Sequence, residues 1–143
     1  MRVHTRNCTN LRRISNATHH HSCEKGRSAA DKRAMADAVH GALISALGIP
    51  ETDRFQVIRE YEPEDFIHSD GHLGLSYTKD LVMVEIAFLA GRDDEKKKAL
   101  HREVNQRFVE TLGIRPDDLF VMFFEVGPAA NVSFGRGIAQ LAK

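Results

Sequence analysis

Arg92 is a candidate to hold an anion. It follows Gly91 and stands just before a segment, Asp93-Asp94-Glu95, that reads as a helix start. A guanidinium presents a planar fork of donors that matches a carboxylate, and a helix start adds unpaired backbone N–H groups beside it. Asp53 is the second candidate, placed shortly after Gly48-Ile49-Pro50. An acid there either takes part in chemistry or shapes the turn before a strand. Each has a plainer reading, because Arg27 and Asp118 occupy matching places elsewhere in the chain. The run His19-His20-His21 could bind a metal, but no Cys, Asp or second His cluster stands at ligand spacing, so it reads as a solvated tail or a frame artefact. Cys8 and Cys23 form no metal or redox motif. The run Ser133-Phe134-Gly135-Arg136-Gly137 is no phosphate loop and is expected to shape the C-terminal turn against a neighbouring subunit. No metal and no cofactor is expected.

What positions Arg92 and Asp53 emerges when the chain is slid against itself by 65 residues. Gly26-Arg27 falls on Gly91-Arg92, and Lys32, Ala34 and Val39 fall on Lys97, Ala99 and Val104. Leu47-Gly48-Ile49 falls on Leu112-Gly113-Ile114, and Asp53, Phe55, Glu60 and Pro63 on Asp118, Phe120, Glu125 and Pro128. Twelve of the 38 positions from 26 to 63 are identical without a gap, where chance gives about two or three. The chain contains a duplication.

Both copies carry the same local signals. Ser28 has N-cap chemistry with Asp31 three residues on, Met35, Val39, Ala42 and Ala46 recur at helical spacing, and Gly48 suits a helix C-cap. In the second copy Asp93 caps, Leu100, Val104, Phe108 and Leu112 form the stripe, and Gly113 ends the helix. A strand follows each helix, at 54–60 and at 119–126, the second apolar on both faces, as suits a central strand covered by helices or by another subunit. A further strand at 81–89 precedes the second helix and makes a parallel β-α-β unit. Residues 62–79 suit a hairpin or an irregular connection. The repeat maps the 81–89 strand onto 16–24, whose sequence Asn-Ala-Thr-His-His-His-Ser-Cys-Glu does not read as a buried strand.

Taken together, Gly26-Arg27-Ser28, Gly48-Ile49-Pro50, Asp53-Arg54-Phe55, Gly91-Arg92 and Ser133-Phe134-Gly135-Arg136-Gly137 resemble the tautomerase superfamily over about residues 25–141. The nearest likeness is to its long-chain members, which resemble malonate semialdehyde decarboxylase. The resemblance implies an α/β (α+β) fold of duplicated β-α-β units, a mixed sheet with two helices on one face, and a homotrimer. It also implies small keto or enol carboxylic acids as substrates and proton transfer without a cofactor. The family's base is an N-terminal proline, whose secondary amine has its pKa lowered toward neutrality by an apolar, cationic pocket. Arg92 matches the arginine that binds the substrate carboxylate, and Asp53 matches the acidic residue after the first helix. Decarboxylase-like members carry another arginine two residues before Arg92, and Ala90 stands there, which speaks against that specific reaction. The proline position falls on Ala17. The codons of Asn16-Ala17-Thr18 can spell Met-Pro one base later, and those that follow can spell an apolar strand. Residues 1–24 are therefore expected to be atypical, disordered or mis-called, ahead of a tautomerase-like domain at 25–143 whose second copy spans about 81–128.

The bulk properties agree with this reading. The chain has 143 residues, enough for one core, and zero formal net charge, which gives no electrostatic basis for binding nucleic acid or an anionic membrane. The first 23 residues hold four arginines and no acid, so the rest is net −4. That start resembles a transit peptide in composition but carries no amphipathic stripe, and it lacks the apolar core of a secretory signal. A cytoplasmic location is the expectation. The expected function is a tautomerase-type isomerase with Arg92 and Asp53 in its site. The alternative is a tautomerase-like subunit that binds a carboxylate but lacks the proline base.

Overall fold

The computed structural model describes residues 17–142. A four-stranded sheet carries two antiparallel-running copies of one unit on its face. Strand β1 (Ala17–Glu24) leads through helix α1 (Ala29–Leu47) to β2 (Phe55–Tyr61). A short hairpin, β3 (Gly71–His72) and β4 (Leu75–Ser76), bridges to β5 (Val82–Leu89), helix α2 (Asp94–Leu112) and β6 (Leu119–Val126). The sheet order is β2-β1-β5-β6. β1 runs parallel to β2 and β5 parallel to β6, while β1 and β5 meet antiparallel at the centre. The duplication seen in the sequence is thus two β-α-β halves joined through their first strands.

The caps form as the residue types require. Ser28 Oγ accepts the Asp31 N–H at 3.1 Å, and an Asp93 carboxylate oxygen accepts the Lys96 N–H at 2.9 Å. Gly48 and Gly113 close the two helices in the left-handed region, φ 67° and 64°, each with its N–H on a carbonyl four residues back. The core lies between the helices and one sheet face. Met35, Val39, Ala42 and Leu43 from α1 and Leu100, Val104 and Phe108 from α2 pack onto Val82, Val84, Ile86 and Phe88.

Three expectations are corrected by the fold. Residues 17–24 are a strand, and a central one: His19 and His21 are 1% and 0% exposed beneath the helices. The triple histidine is therefore no solvated tail, and the domain takes in β1 rather than starting at residue 25. Period-two alternation explains this, since Ala17, His19, His21 and Cys23 share the helix-facing side. The imidazoles then satisfy part of their polarity on one another and on Gln56. Residues 1–16, including Cys8, lie outside the described residues. Lastly, β6 is an edge strand, not a central one. Its apolar second face is open, with Phe120, Met122 and Phe124 exposed alongside Phe55 and Val57 of β2.

Candidate active site

Register brings the sequence's candidates to one end of the sheet. Ala17 pairs with Phe88 near the end of β5, and Thr18 pairs with Phe55 at the start of β2. Asp53 precedes β2 by two residues, and Arg92 follows β5 by three. Asp53 from the first copy and Arg92 from the second therefore converge beside the start of β1, which neither copy provides alone.

The electrostatics show that the three are coupled. Burial pushes the Asp53 carboxyl up to about 6, against the pull of the Ala17 backbone N–H and the Arg92 charge. Its Oδ1 is buried and has no hydrogen-bond partner among the described residues. An unpartnered carboxylate oxygen of this kind is an unfavourable arrangement for stability alone. The Arg92 guanidinium is half-buried, and burial lowers its pKa from the ordinary value against the attraction of Asp53 and Glu125. It lies 5.3 Å from the centre of the Phe88 ring, and Nη1 donates to the Leu89 carbonyl at 2.9 Å. One face of its fork is thereby fixed.

The nitrogen at position 17 is a peptide amide, because Asn16 precedes it. It donates and cannot act as a base. Ala90, where a second arginine would stand, gives its N–H to Val126 and packs against Gly127. Arg92 is thus the cation that the two matched strand ends supply to this end. Phe134 of the glycine-rich C-terminal run rests on Phe55, 6.0 Å between ring centres. That run accordingly folds back toward the site, with Gly135 and Gly137 at positive φ as its glycines predict.

The repeat mates of the site residues have a different fate. Asp118 is fully buried and accepts the Thr78 N–H at 2.8 Å and the Thr78 hydroxyl at 2.6 Å. Arg27 donates to the Asp80 carbonyl at 2.7 Å. The same residue types are thus satisfied structurally at one end and left partly unsatisfied at the other. A groove of about 590 Å³ bordered by Leu75, Tyr77, His101 and Phe120 lies by the start of β6, away from the Asp53–Arg92 end.

Among the residues missed by the sequence reading, Arg54 and Gln56 matter most. Arg54 Nε donates to Gln56 Oε1 at 2.7 Å and its Nη2 pairs with Asp37, which fixes the start of β2 next to Asp53. Asp37 is held below its ordinary pKa by that arginine. Charged residues on α1 and β2 gave no local pattern that would single them out.

Two family models, each described as tautomerase enzyme, match residues 53–135 and 22–74. The chain is 34% identical over 116 residues to the probable tautomerase YusQ of Bacillus subtilis (strain 168), covering 81% of this chain and 91% of that protein. It is 32% identical to the probable tautomerase YrdN of the same organism, covering 81% and 88%. Among solved structures it is similar to malonate semialdehyde decarboxylase, with TM-score 0.80 and 29% identity over 87% of this chain and 95% of that one. A symmetric trimer of a fused 4-OT gives TM-score 0.70 and 25% identity, over 85% and 94%. The duplicated β-α-β fold, the Asp53–Arg92 end and these similarities lead to one conclusion: the chain belongs to the tautomerase family.

Proposed function

We propose that this chain moves a proton on small keto or enol carboxylic acids, with Arg92 holding the substrate carboxylate and Asp53 serving as the base. The observation that carries the reading is the buried, unpartnered Asp53 oxygen beside Arg92. A carboxyl raised to about 6 is close to the operating pH at which a general base works best. Arg92 neutralises the carboxylate and the negative charge that develops on the enol oxygen. Ala90 stands where decarboxylase-like members carry a further arginine, and Arg54 beside Asp53 is engaged by Asp37 and Gln56, so the site suits isomerisation better than a decarboxylase reaction. A catalyst of this kind is slower than one with a proline amine, since a carboxylate at this pKa is the weaker carbon base.

The test is turnover of phenylenolpyruvate. The chain is expected to accelerate ketonisation over buffer. Ala17→Pro in a chain shortened by residues 1–16, so that the new imino group is the amino terminus, is expected to be at least about 100-fold faster. If neither protein turns the enol over, the isomerase reading fails. If only the shortened Ala17→Pro variant does, the second reading holds: a carboxylate-binding tautomerase-like subunit without its base. The Ala17 amide is the observation that favours that alternative.

The open sheet face supports self-association, as in the fused 4-OT trimers. Phe55, Val57, Phe120, Met122 and Phe124 are between 38% and 49% exposed on one face, more apolar surface than an isolated domain ordinarily leaves to water. Sedimentation is expected to give a homotrimer, and Met122→Arg with Phe124→Arg to give monomers. A wild-type monomer at micromolar concentration would refute this assignment.

A further inference from the structure

At the centre of the sheet the core carries a polar pair, His19 and His21, of which the proposed function makes no use. The rings stand on the helix-facing side of the central strand, with His19 Nδ1 and His21 Nε2 3.0 Å apart. His21 stacks on Phe108 of α2, ring centres 6.4 Å apart. From β2, Gln56 Nε2 donates to His19 Nδ1 at 3.1 Å and to the Ala36 carbonyl at 2.7 Å. Gln56 cannot be turned over, because its Oε1 already receives Arg54 Nε. His19 Nδ1 is therefore an acceptor whose single lone pair is shared between Gln56 Nε2 and His21 Nε2, and His21 Nε2 carries the proton between the two rings. Both imidazoles are neutral in this arrangement. His19 Nε2 and His21 Nδ1 are buried without partners among the described residues.

A second proton has nowhere to go. On His19 Nδ1 it would point at the Gln56 amino group, and on His21 Nδ1 it would be buried with no acceptor. The charged and titratable groups around the pair do not help. His40 of α1 and Arg54, just before β2, disfavour a charge on His19, and His20 on the opposite face of β1 disfavours one on both rings. β5 contributes Val84 and Ile86 opposite, and α2 contributes Phe108. The nearby carboxylate, Asp37, is engaged by Arg54.

We propose that the His19–His21 pair makes β1 an acid-released strand, so that mild acidification opens the centre of the sheet and with it the end where Ala17, Asp53 and Arg92 meet. Burial first, and neighbouring cationic groups second, hold the folded rings down to about 2 for His19 and about 4 for His21, while an unfolded histidine titrates near 6.5. The unfolded chain thus takes up two more protons at this pair as pH falls from about 6.5 toward 4. Stability that is intact above about 6.5 is lost as pH falls. Asp53, raised in the fold, acts in the opposite sense over part of this range, so a comparison between variants isolates the pair.

The repeat supplies the variant. Position 19 corresponds to Val84 and position 21 to Ile86, so His19→Val with His21→Ile gives β1 the core face its twin already has. Urea unfolding of the full chain from pH 7.5 to 4.5 is the measurement. Relative to the double variant, the wild-type unfolding constant is expected to rise by up to about 100-fold per pH unit below pH 6, two protons at tenfold each. Parallel pH profiles for the two proteins would overturn the proposal. Should the double variant fail to fold, histidine ring NMR of the wild type decides. Neutral His19 and His21 in the folded fraction at pH 5.5, with a growing unfolded fraction, support it. Rings that titrate near 6.5 while the fold persists overturn it.

Discussion

Asp118→Ala is expected to destabilise the fold by about 3 kcal/mol, whereas Asp53→Asn, the same position in the other copy, is expected to stabilise it at pH 7.5. Asp118 is wholly buried and accepts both the backbone N–H and the hydroxyl of Thr78, with the Arg115 guanidinium 3.5 Å away. Removing it strands two half-buried donors, the Thr78 N–H and hydroxyl, at about 1–3 kcal/mol each. For a chain of this size the melting temperature should fall by about 10 °C. Asp53 is the reverse case. Its folded pKa, about 6, exceeds the unfolded value, so the folded state binds the extra proton. Stability contributed by this group is present below the unfolded pKa and lost as pH rises through about 6. An amide removes that cost, a gain of about 1 kcal/mol once the group's partial exposure is discounted. Thermal melts at pH 7.5 check both signs. Destabilisation of similar size at the two positions would mean that Asp53 is merely a turn residue.

The second large effect belongs to Arg92. Arg92→Ala is expected to lower kcat/KM for an enol acid by about 100- to 1,000-fold, from loss of a charge-assisted contact to carboxylate and developing oxyanion. Arg92→Lys should recover only part of this, because a point charge cannot reproduce the fork or the stacking on Phe88. Arg27→Ala, the repeat mate, serves as the control. Arg27 is bound to the Asp80 carbonyl at the other end of the sheet, so its loss should leave kcat/KM within about threefold of wild type. Equal losses at the two arginines would contradict the assignment of the site to one end.

Most of the architecture was legible because the chain states it twice. Gly48 and Gly113, Ser28 and Asp93, and the stripes through Val39 and Val104 each mark the same helix, and the helices end where those glycines stand. The repeat also demanded a strand at the position where β1 lies, yet the residue types argued against one. The missed signal was the alternation Ala17, His19, His21, Cys23 against Val82, Val84, Ile86, Phe88, which assigns one face of each strand to the core. Neutral imidazole is apolar enough to be buried when its nitrogens can pair, and Gln56, distant in sequence, makes that pairing possible. Edge position was equally hidden. The sequence of β6 is apolar on both faces, which left cover by helices or by another subunit open, and the sheet order shows it at an edge with its second face exposed.

For the site, the family resemblance singled out Arg92 and Asp53, while by residue type their repeat mates Arg27 and Asp118 offered an equally good case. What separates them is surroundings: Thr78 reaches Asp118, and among the described residues nothing of that kind reaches Asp53 Oδ1. Such a difference arises from the 62–79 connection, which supplies Thr78 to one end of the sheet only. The amide at Ala17 has the opposite consequence, since it places a donor where the family's chemistry uses a base.

With that amide in place, the proposed proton-moving group of the chain is Asp53. The most direct measurement is the pH profile of kcat/KM for phenylenolpyruvate ketonisation by wild type and Asp53→Asn. The wild type is expected to rise through an apparent pKa near 6, where the Asp53 carboxyl ionises, and to level off above about pH 7. Asp53→Asn is expected to lose about 100-fold or more and its ascending limb together. Turnover that survives in Asp53→Asn with the same profile would contradict Asp53 as the base.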